Sequence, residues 1–401
     1  MAERQKLMLI SPMLHQGGFE RVCVTTAKLL QDQYEVTVVI FDSSDIAFDI
    51  AGLNVIDIGL GVREGKIQKL INVFRRARKI KALKKDMKSD IAYSFGPTAN
   101  LVNVLSKRHK CKTWLGLRGF ADLDNHYRNI FFSKCADLVI CCSKEIEKVM
   151  KEKYLCKRTA TLHNPYHVDI IWEQANKEEP ELPWTEVDEN GNQLRYLVGM
   201  GREDWIKGFW HLLKAFALVR KEIPEARLII PGDGTFERYK KLSRDLKIEK
   251  YVFFPGMQRN PYKYVKKAEI FLLSSWTEGF PNVLVEGMVM KKPVISTNCL
   301  SGPAEILTDG LLYDDINRIF EEQQLKNEKR LLFGEYGILV PDMGKEENFD
   351  AEILTREEKE FADTILMMMR DGKCRQKYAD LGYLRAKEFS YESYVDNFMK
   401  L

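Results

Sequence analysis

Short apolar runs alternate with stretches of helical periodicity along most of the chain. In the first half "KLMLISPM" reads as a strand, followed by a turn at "HQGG" and a helix from about Phe19 to Leu30. "YEVTVVIFD", "LNVIDIGL", "DIAYSFG", "KTWLGLRG", "DLVICCS" and "TATLHNP" read as further strands, most of them separated by helical stretches. Continuously apolar strands alternating with helices predict a parallel sheet covered on both faces, which is a doubly wound α/β domain. The alternation lapses from about Asp169 to Gln193, where "NKEEPELPWTEVDENGNQ" is acidic, carries two prolines and ends in turn formers. It restarts with "RYLVGMG", "ARLIIPG", "YVFFPG", "EIFLLSS", "PVIST" and "GILVP", again with helices between. The pattern therefore predicts a domain over 1–168, a linker over 169–193 and a second α/β domain over 194–386. Residues 387–401 are expected to complete the first domain. Residues 310–334 read as a charged, helix-like insertion, and helices are expected around 359–371, 374–388 and 391–400.

Composition agrees with two cores. The chain has 401 residues, 45% of them hydrophobic and 30% charged, which suits a globular protein too long for one ordinary domain. A net charge of +4 does not by itself point to nucleic acid. Cys23, Cys111, Cys135, Cys141, Cys142, Cys156, Cys299 and Cys374 show neither CxxC spacing nor a disulfide framework. Reduced thiols in a cytosolic protein are the plainest account. The charged start "MAERQKLMLISPML" lacks the long apolar segment of a signal peptide, and no run of 18 apolar residues occurs. The expectation is a protein neither exported by that route nor membrane-spanning.

In open α/β sheets, ligands bind beyond the carboxyl ends of the strands, so chemistry is sought in those loops. "MGREDWIKGFW" places Arg202 and Lys207 five residues apart, around a helix start. Two such cations can bracket a diphosphate, Arg as a planar fork and Lys as a point charge, though two exposed surface cations would look the same. Gly17 and Gly18 in "QGGFER" permit positive φ and close backbone approach, but they do not form G-x-G-x-x-G. "SSWTEGFPNVLVEGMVMKKPVIST" holds Glu278 in a Gly/Pro loop and Glu286 about one turn into an apolar helix. A carboxylate in the second position can accept hydrogen bonds from a vicinal diol, as acidic residues do for ribose, and one in the first can bond a second polyol. Amides near Gly279, Phe280 and Asn282 could meet phosphate oxygens. On spacing alone, surface or helix-end carboxylates are nearly as good a reading.

The passage "EGFPNVLVEGMVMKKPVIST" followed by "SGPAEIL" resembles the glutamate-x7-glutamate signature of retaining glycosyltransferases of family 4. "GGFERV", "HNPYHVD", "GREDWIKG", "IPGDG" and "GILVP" fall in that family's order, so the resemblance covers nearly the whole chain. It implies the GT-B fold, two Rossmann-like domains facing a central cleft, and a nucleotide-sugar substrate. By resemblance Glu286 binds the ribose hydroxyls and Glu278 the donor hexose. Arg202 and Lys207 hold the diphosphate, and Gly17 or Gly18 lines the donor-sugar pocket. Attack is front-face with retained configuration, the diphosphate helping to take the acceptor proton. UDP is expected from its frequency in the family. Two departures stand out. Arg118, with Asp122, Asp124 and His126 beyond it, occupies the loop where the family commonly has a catalytic His, so it is either a phosphate or acceptor ligand or a structural cation. Lys291 stands where a helix-ending Gly is usual.

His163 and His167 are four apart in "HNPYH", but the Pro between them argues against a metal-binding helix turn, and no DxD stands at a strand end, so neither a metal nor another cofactor is expected. Residues 66–90 hold ten Lys/Arg against two Asp, and Ile67, Leu70, Ile71, Phe74, Ala77, Ile80, Leu83 and Met87 form a helical stripe. A domain helix with a solvated basic face accounts for this. The dense positive face, including Arg75, Arg76, Arg78 and Lys79, also suits an anionic membrane. The expectation is then a polyprenyl-diphosphate-linked glycan acceptor at the inner face of the cell membrane, in bacterial surface polysaccharide synthesis. No nucleic-acid reader motif accompanies the basic helix. An epimerase-like enzyme of the same fold, or a non-catalytic sugar-nucleotide-binding protein, would keep the same site residues.

Overall fold

The computed structural model describes residues 4–15 and 17–401. Gln16 of the expected turn and the first three residues of the charged N-terminus lie outside the described residues. The chain divides into two compact units. One runs to Pro165 and includes Tyr391–Leu401, and the other is Tyr166–Ser390.

The first unit is built on β1 (Lys6–Ser11), β2 (Glu35–Ile40), β3 (Asn54–Asp57), β4 (Ile91–Phe95), β5 (Lys112–Leu117), β6 (Leu138–Cys141) and β7 (Thr159–Thr161). They lie in the order β3-β2-β1-β4-β5-β6-β7, with every neighbouring pair parallel. The alternation of side chains along a strand explains why β1 is apolar from Leu7 to Ile10. Leu7 and Leu9 enter a core with Val22, Cys23, Ala27, Tyr394 and Phe398, while Met8 and Ile10 enter another with Ala77, Ile80, Ala92 and Val102. The C-terminal helix Tyr391–Phe398 thus returns to this unit, where the Tyr394 hydroxyl lies 2.7 Å from Thr26 Oγ1.

The basic helix runs Lys66–Asp86, and its apolar stripe divides. Ala77 and Ile80 are buried, whereas Ile67, Leu70, Ile71 and Phe74 are 75%, 59%, 45% and 57% exposed. The first two turns therefore present their apolar side to solvent. The expected uniform basic face is also corrected. Arg76 is buried, donating to the Leu60 and Gly61 carbonyls at 2.7 and 2.8 Å, and Lys79 donates to the Ile58 carbonyl at 2.6 Å. Both satisfy the loop after β3, so only Arg75 and Arg78 of the four named cations remain unengaged by such carbonyl bonds. Among the described residues, no helix is long and apolar enough to cross a membrane.

The second unit is built on β8 (Arg195–Val198), β9 (Ala226–Ile229), β10 (Val252–Phe253), β11 (Ile270–Leu273), β12 (Val294–Thr297), β13 (Leu332–Phe333) and β14 (Ile338–Val340). Their order is β10-β9-β8-β11-β12-β14-β13, parallel except for β13 at the edge. Periodicity does not reveal β13, which is two residues long and lies in the charged insertion. The insertion also contains the helix Tyr313–Leu325. Asn298, just past β12, donates from Nδ2 to Tyr313 O at 3.2 Å and Asn317 Oδ1 at 3.0 Å and so ties the insertion to the strand end. Residues 169–193, expected as a tether, include most of the helix Val168–Lys177. Trp184 Nε1 donates to Lys250 O at 2.7 Å, which fastens the rest of the stretch to this same unit.

Candidate active site

Strand order in the second unit reverses between β8 and β11, so the loops after these strands diverge at a topological switch point, the usual place for a ligand in an open α/β sheet. One loop carries Arg202 and Lys207 and the other Glu278. Their backbones are stitched together: Trp276 N–H donates to Ile206 O at 3.0 Å, and Ser274 Oγ to Lys207 O at 2.8 Å. Gly208 sits between them at φ 59, and a Cβ there would lie 2.3 Å from Ser274 O. Only glycine fits that combination of left-handed backbone and close approach. The result is a direct ion pair, Lys207 Nζ to Glu278 Oε1 at 2.7 Å, with the two side chains 13% and 11% exposed. Ser275 Oγ donates to the same carboxylate oxygen at 2.7 Å. Sequence reasoning placed Lys207 at a diphosphate and Glu278 at a hexose. The structure brings the two into contact, so each offsets the other's charge in a largely buried position.

Glu286 is the fifth residue of the helix Asn282–Val289 and is buried. This helix lies close on β11 because residue 287 is glycine: a Cβ there would meet the Phe271 ring at 2.7 Å. At its start, the Tyr166 hydroxyl donates to Asn282 Oδ1 at 2.6 Å. Phe280 is buried, edge-on to Phe389 at 5.2 Å, and Ser301 Oγ donates to Gly279 O at 2.7 Å. The 279–282 turn is thus fixed from three sides. Lys291, past the end of this helix, adopts φ 51, the left-handed conformation that ends helices and for which glycine is usual.

Arg202 stands apart from the Lys207–Glu278 pair. Its side chain is 64% exposed and pairs with Asp204 at 3.1 Å. Its neighbour Glu203 was not singled out by sequence, yet its Oε2 accepts from Phe236 N–H at 2.8 Å, and Gly234 at φ 140 lets the two loops meet. Asp342, two residues past the end of β14, was also missed. Burial raises its carboxyl to about 6, and only its place after the strand in "GILVPD" hinted at it.

In the first unit, Gly17 precedes the helix Gly18–Leu29 with φ −143, and Gly18 is helical, so neither uses positive φ. At Gly17 the Glu20 carboxylate folds into the space a Cβ would take, 2.1 Å from one of its oxygens, so a larger residue there would displace that side chain. Arg118 is half-buried. It donates to the Tyr93 hydroxyl, to Asn164 Oδ1 at 3.3 Å and to Leu162 O at 3.4 Å, and lies over the Phe95 ring. Asp122 accepts from the Arg118 and Gly119 amides at 2.8 and 3.2 Å, while burial raises its carboxyl. Asp124 and His126 line an open surface depression with Tyr127. Among the described residues no three His, Cys, Asp or Glu side chains converge as a metal site.

Two family models match the chain, Glycosyltransferase Family 4 over residues 16–170 and Glycosyl transferases group 1 over 195–325. An uncharacterized glycosyltransferase of Methanocaldococcus jannaschii is 32% identical over 272 residues, which is 66% of this chain and 63% of that protein. The chain thus spans less than two thirds of this archaeal relative. A Campylobacter jejuni protein, the N-acetylgalactosamine-N,N'-diacetylbacillosaminyl-diphospho-undecaprenol 4-alpha-N-acetylgalactosaminyltransferase, is 25% identical over 79% of this chain and 88% of its own. Anabaena HepE, solved with UDP and glucose, shares the fold with a TM-score of 0.72 at 17% identity, covering 99% of both chains. The two family models, which between them span most of the chain, and the shared architecture together show a family 4-like glycosyltransferase with the GT-B fold.

Proposed function

We propose that this chain is a retaining glycosyltransferase that moves a hexose or N-acetylhexosamine from a UDP-sugar to a lipid-linked glycan during bacterial surface polysaccharide synthesis. The observation that carries the proposal is the Lys207–Glu278 pair at the switch point, with buried Glu286 on the helix that follows. A phosphate competes for Lys207 and a sugar hydroxyl for Glu278, so a donor exchanges one ion pair for two matched contacts. The UDP and glucose bound by the Anabaena fold relative and the undecaprenol-linked acceptor named for the Campylobacter relative support the same reading.

In this reaction the acceptor hydroxyl attacks the anomeric carbon on the face from which UDP leaves. A diphosphate oxygen takes the hydroxyl proton. Lys207 and Arg202 stabilise the charge that grows on the departing diphosphate, the kind of preorganised electrostatics that accounts for much of enzymatic rate enhancement. The protein's own cations serve here, and the mechanism calls on no metal. The acceptor's lipid would bring the chain to the anionic inner face of the cell membrane. Exposed Arg75 and Arg78 beside Ile67, Leu70, Ile71 and Phe74 form a basic, apolar-edged surface suited to that contact.

Calorimetric titration with UDP, GDP and ADP in the presence of EDTA tests the donor site. UDP is expected to bind, and Glu286→Ala to weaken it at least about tenfold; no binding by any nucleotide would overturn the reading. Transfer or donor hydrolysis lost in Glu278→Ala, with UDP binding retained, separates an enzyme from a binding protein. Pelleting with phosphatidylglycerol vesicles tests the membrane contact, which fails if Arg75→Glu/Arg78→Glu and Ile71→Asp leave binding unchanged.

A further inference from the structure

Trp205 and Trp276 lie in the two stitched loops of the second unit, one between Arg202 and Lys207 and the other two residues before Glu278. Their rings pack against one another with centroids 4.5 Å apart, tilted by 38°. Trp205 begins a short turn, Trp205–Lys207, held by the Asp204 side chain, which accepts from Ile206 N–H at 3.2 Å. The hydrogen bond from Trp276 N–H to Ile206 O locks one ring's backbone to the other's. Trp205 nonetheless remains 46% exposed. A large aromatic ring is thus held rigidly at the surface by a second ring, beside the candidate chemistry.

We propose that Trp205, backed by Trp276, is a platform on which the pyranose ring of a glycosyl substrate stacks. This rests on the assignment of Lys207 and Glu278 to the sugar-nucleotide site. One face of a pyranose is a patch of C–H bonds and its rim is hydroxyls. An indole π face, negative at its centre, complements the C–H patch, while a carboxylate such as Glu278 complements the rim. The stitched loops order the rings beforehand, so little freedom is lost on binding. Solvent exposure of so much indole surface is otherwise unfavourable. The stacked pyranose belongs to the donor or to the acceptor, and the two sources give different readouts.

The experiment compares wild type with Trp205→Ala and Trp205→Phe, each checked for an unchanged melting temperature. The probes are UDP, UDP-glucose, UDP-galactose, UDP-N-acetylglucosamine, methyl α-D-glucopyranoside and N-acetylglucosamine, followed by calorimetry and tryptophan fluorescence. If the donor sugar stacks, UDP affinity is unchanged. The preferred UDP-sugar then loses about tenfold in the Ala variant and at most about threefold in the Phe variant. If an acceptor sugar stacks, UDP-sugars bind alike in all three proteins. The free saccharides then quench wild-type fluorescence, and the Ala variant loses that response. If UDP binds in a Glu286-dependent way but no sugar-bearing probe distinguishes Trp205→Ala from wild type, the platform is refuted and the donor site stands. If wild type binds no nucleotide, the platform falls together with the site.

Discussion

The contact between Lys207 Nζ and Glu278 Oε1 can be tested as a pair. At 2.7 Å and an effective dielectric of about 20, two unit charges attract by about 6 kcal/mol. Taking both out of water offsets most of that, leaving a coupling of about 1–2 kcal/mol. Lys207→Met leaves a carboxylate, nearly nine-tenths buried, with Ser275 Oγ as its remaining side-chain donor, and Glu278→Gln leaves an ammonium without its counter-charge. Each single change is expected to cost about 2–3 kcal/mol, and the double variant to cost less than their sum by the coupling. Urea unfolding of the four proteins closes the cycle. Turnover should behave differently, because Lys207 also faces the leaving diphosphate in the proposed reaction. Lys207→Met is expected to lose about 10²-fold in kcat, and the double variant should not recover it. Strictly additive stabilities would show that the ion pair does not couple the loops. Wild-type turnover in Lys207→Met would remove Lys207 from the chemistry.

Asp342, raised to about 6 mainly by burial, is a carboxyl whose folded pKa lies above its free value. It therefore costs stability once ionised, a cost that appears as pH rises from about 4 to 6 and is fully present above that. Asp342→Asn is expected to be more stable than wild type by up to about 3 kcal/mol at pH 7 and equal to it below about pH 4; equal urea midpoints at pH 7 would contradict the burial cost. Lys84 is 1% exposed, lowered to about 8 by burial, and donates to Asn103 Oδ1 and Ser106 Oγ at 2.7 and 3.0 Å. Its charge costs stability fully below pH 8, and the cost is relieved as pH rises toward 10.5. Lys84→Met strands those acceptors, so it should destabilise by about 2 kcal/mol at pH 7, and the gap to wild type should widen between pH 8 and 10; a constant gap would refute the assignment. Gly208→Ala forces a Cβ to within 2.3 Å of Ser274 O and should part the two loops, lowering UDP affinity and melting temperature together; wild-type behaviour would show the loops can separate freely.

The sequence by itself determined the two sheets. Each apolar run from "KLMLISPM" to "GILVP" became a strand, and the central ones are apolar because they are buried on both faces. The loops after them followed, and with them Lys207, Glu278 and Glu286. Pattern could not decide what depends on contacts between distant segments. The pairing of Lys207 with Glu278 spans 71 residues and requires Gly208 to meet Ser274. Arg76 and Lys79 read as surface cations because helical periodicity does not register backbone carbonyls offered by another loop. The stripe from Ile67 to Phe74 looked like core because its spacing is that of a buried face; only the packed domain leaves its first turns uncovered. Strand β13 is too short to carry any period, and Glu203, Asp342 and Trp205 belong to no repeating pattern. Local spacing fixes which face a side chain takes, while its partner is fixed only when the chain has closed on itself.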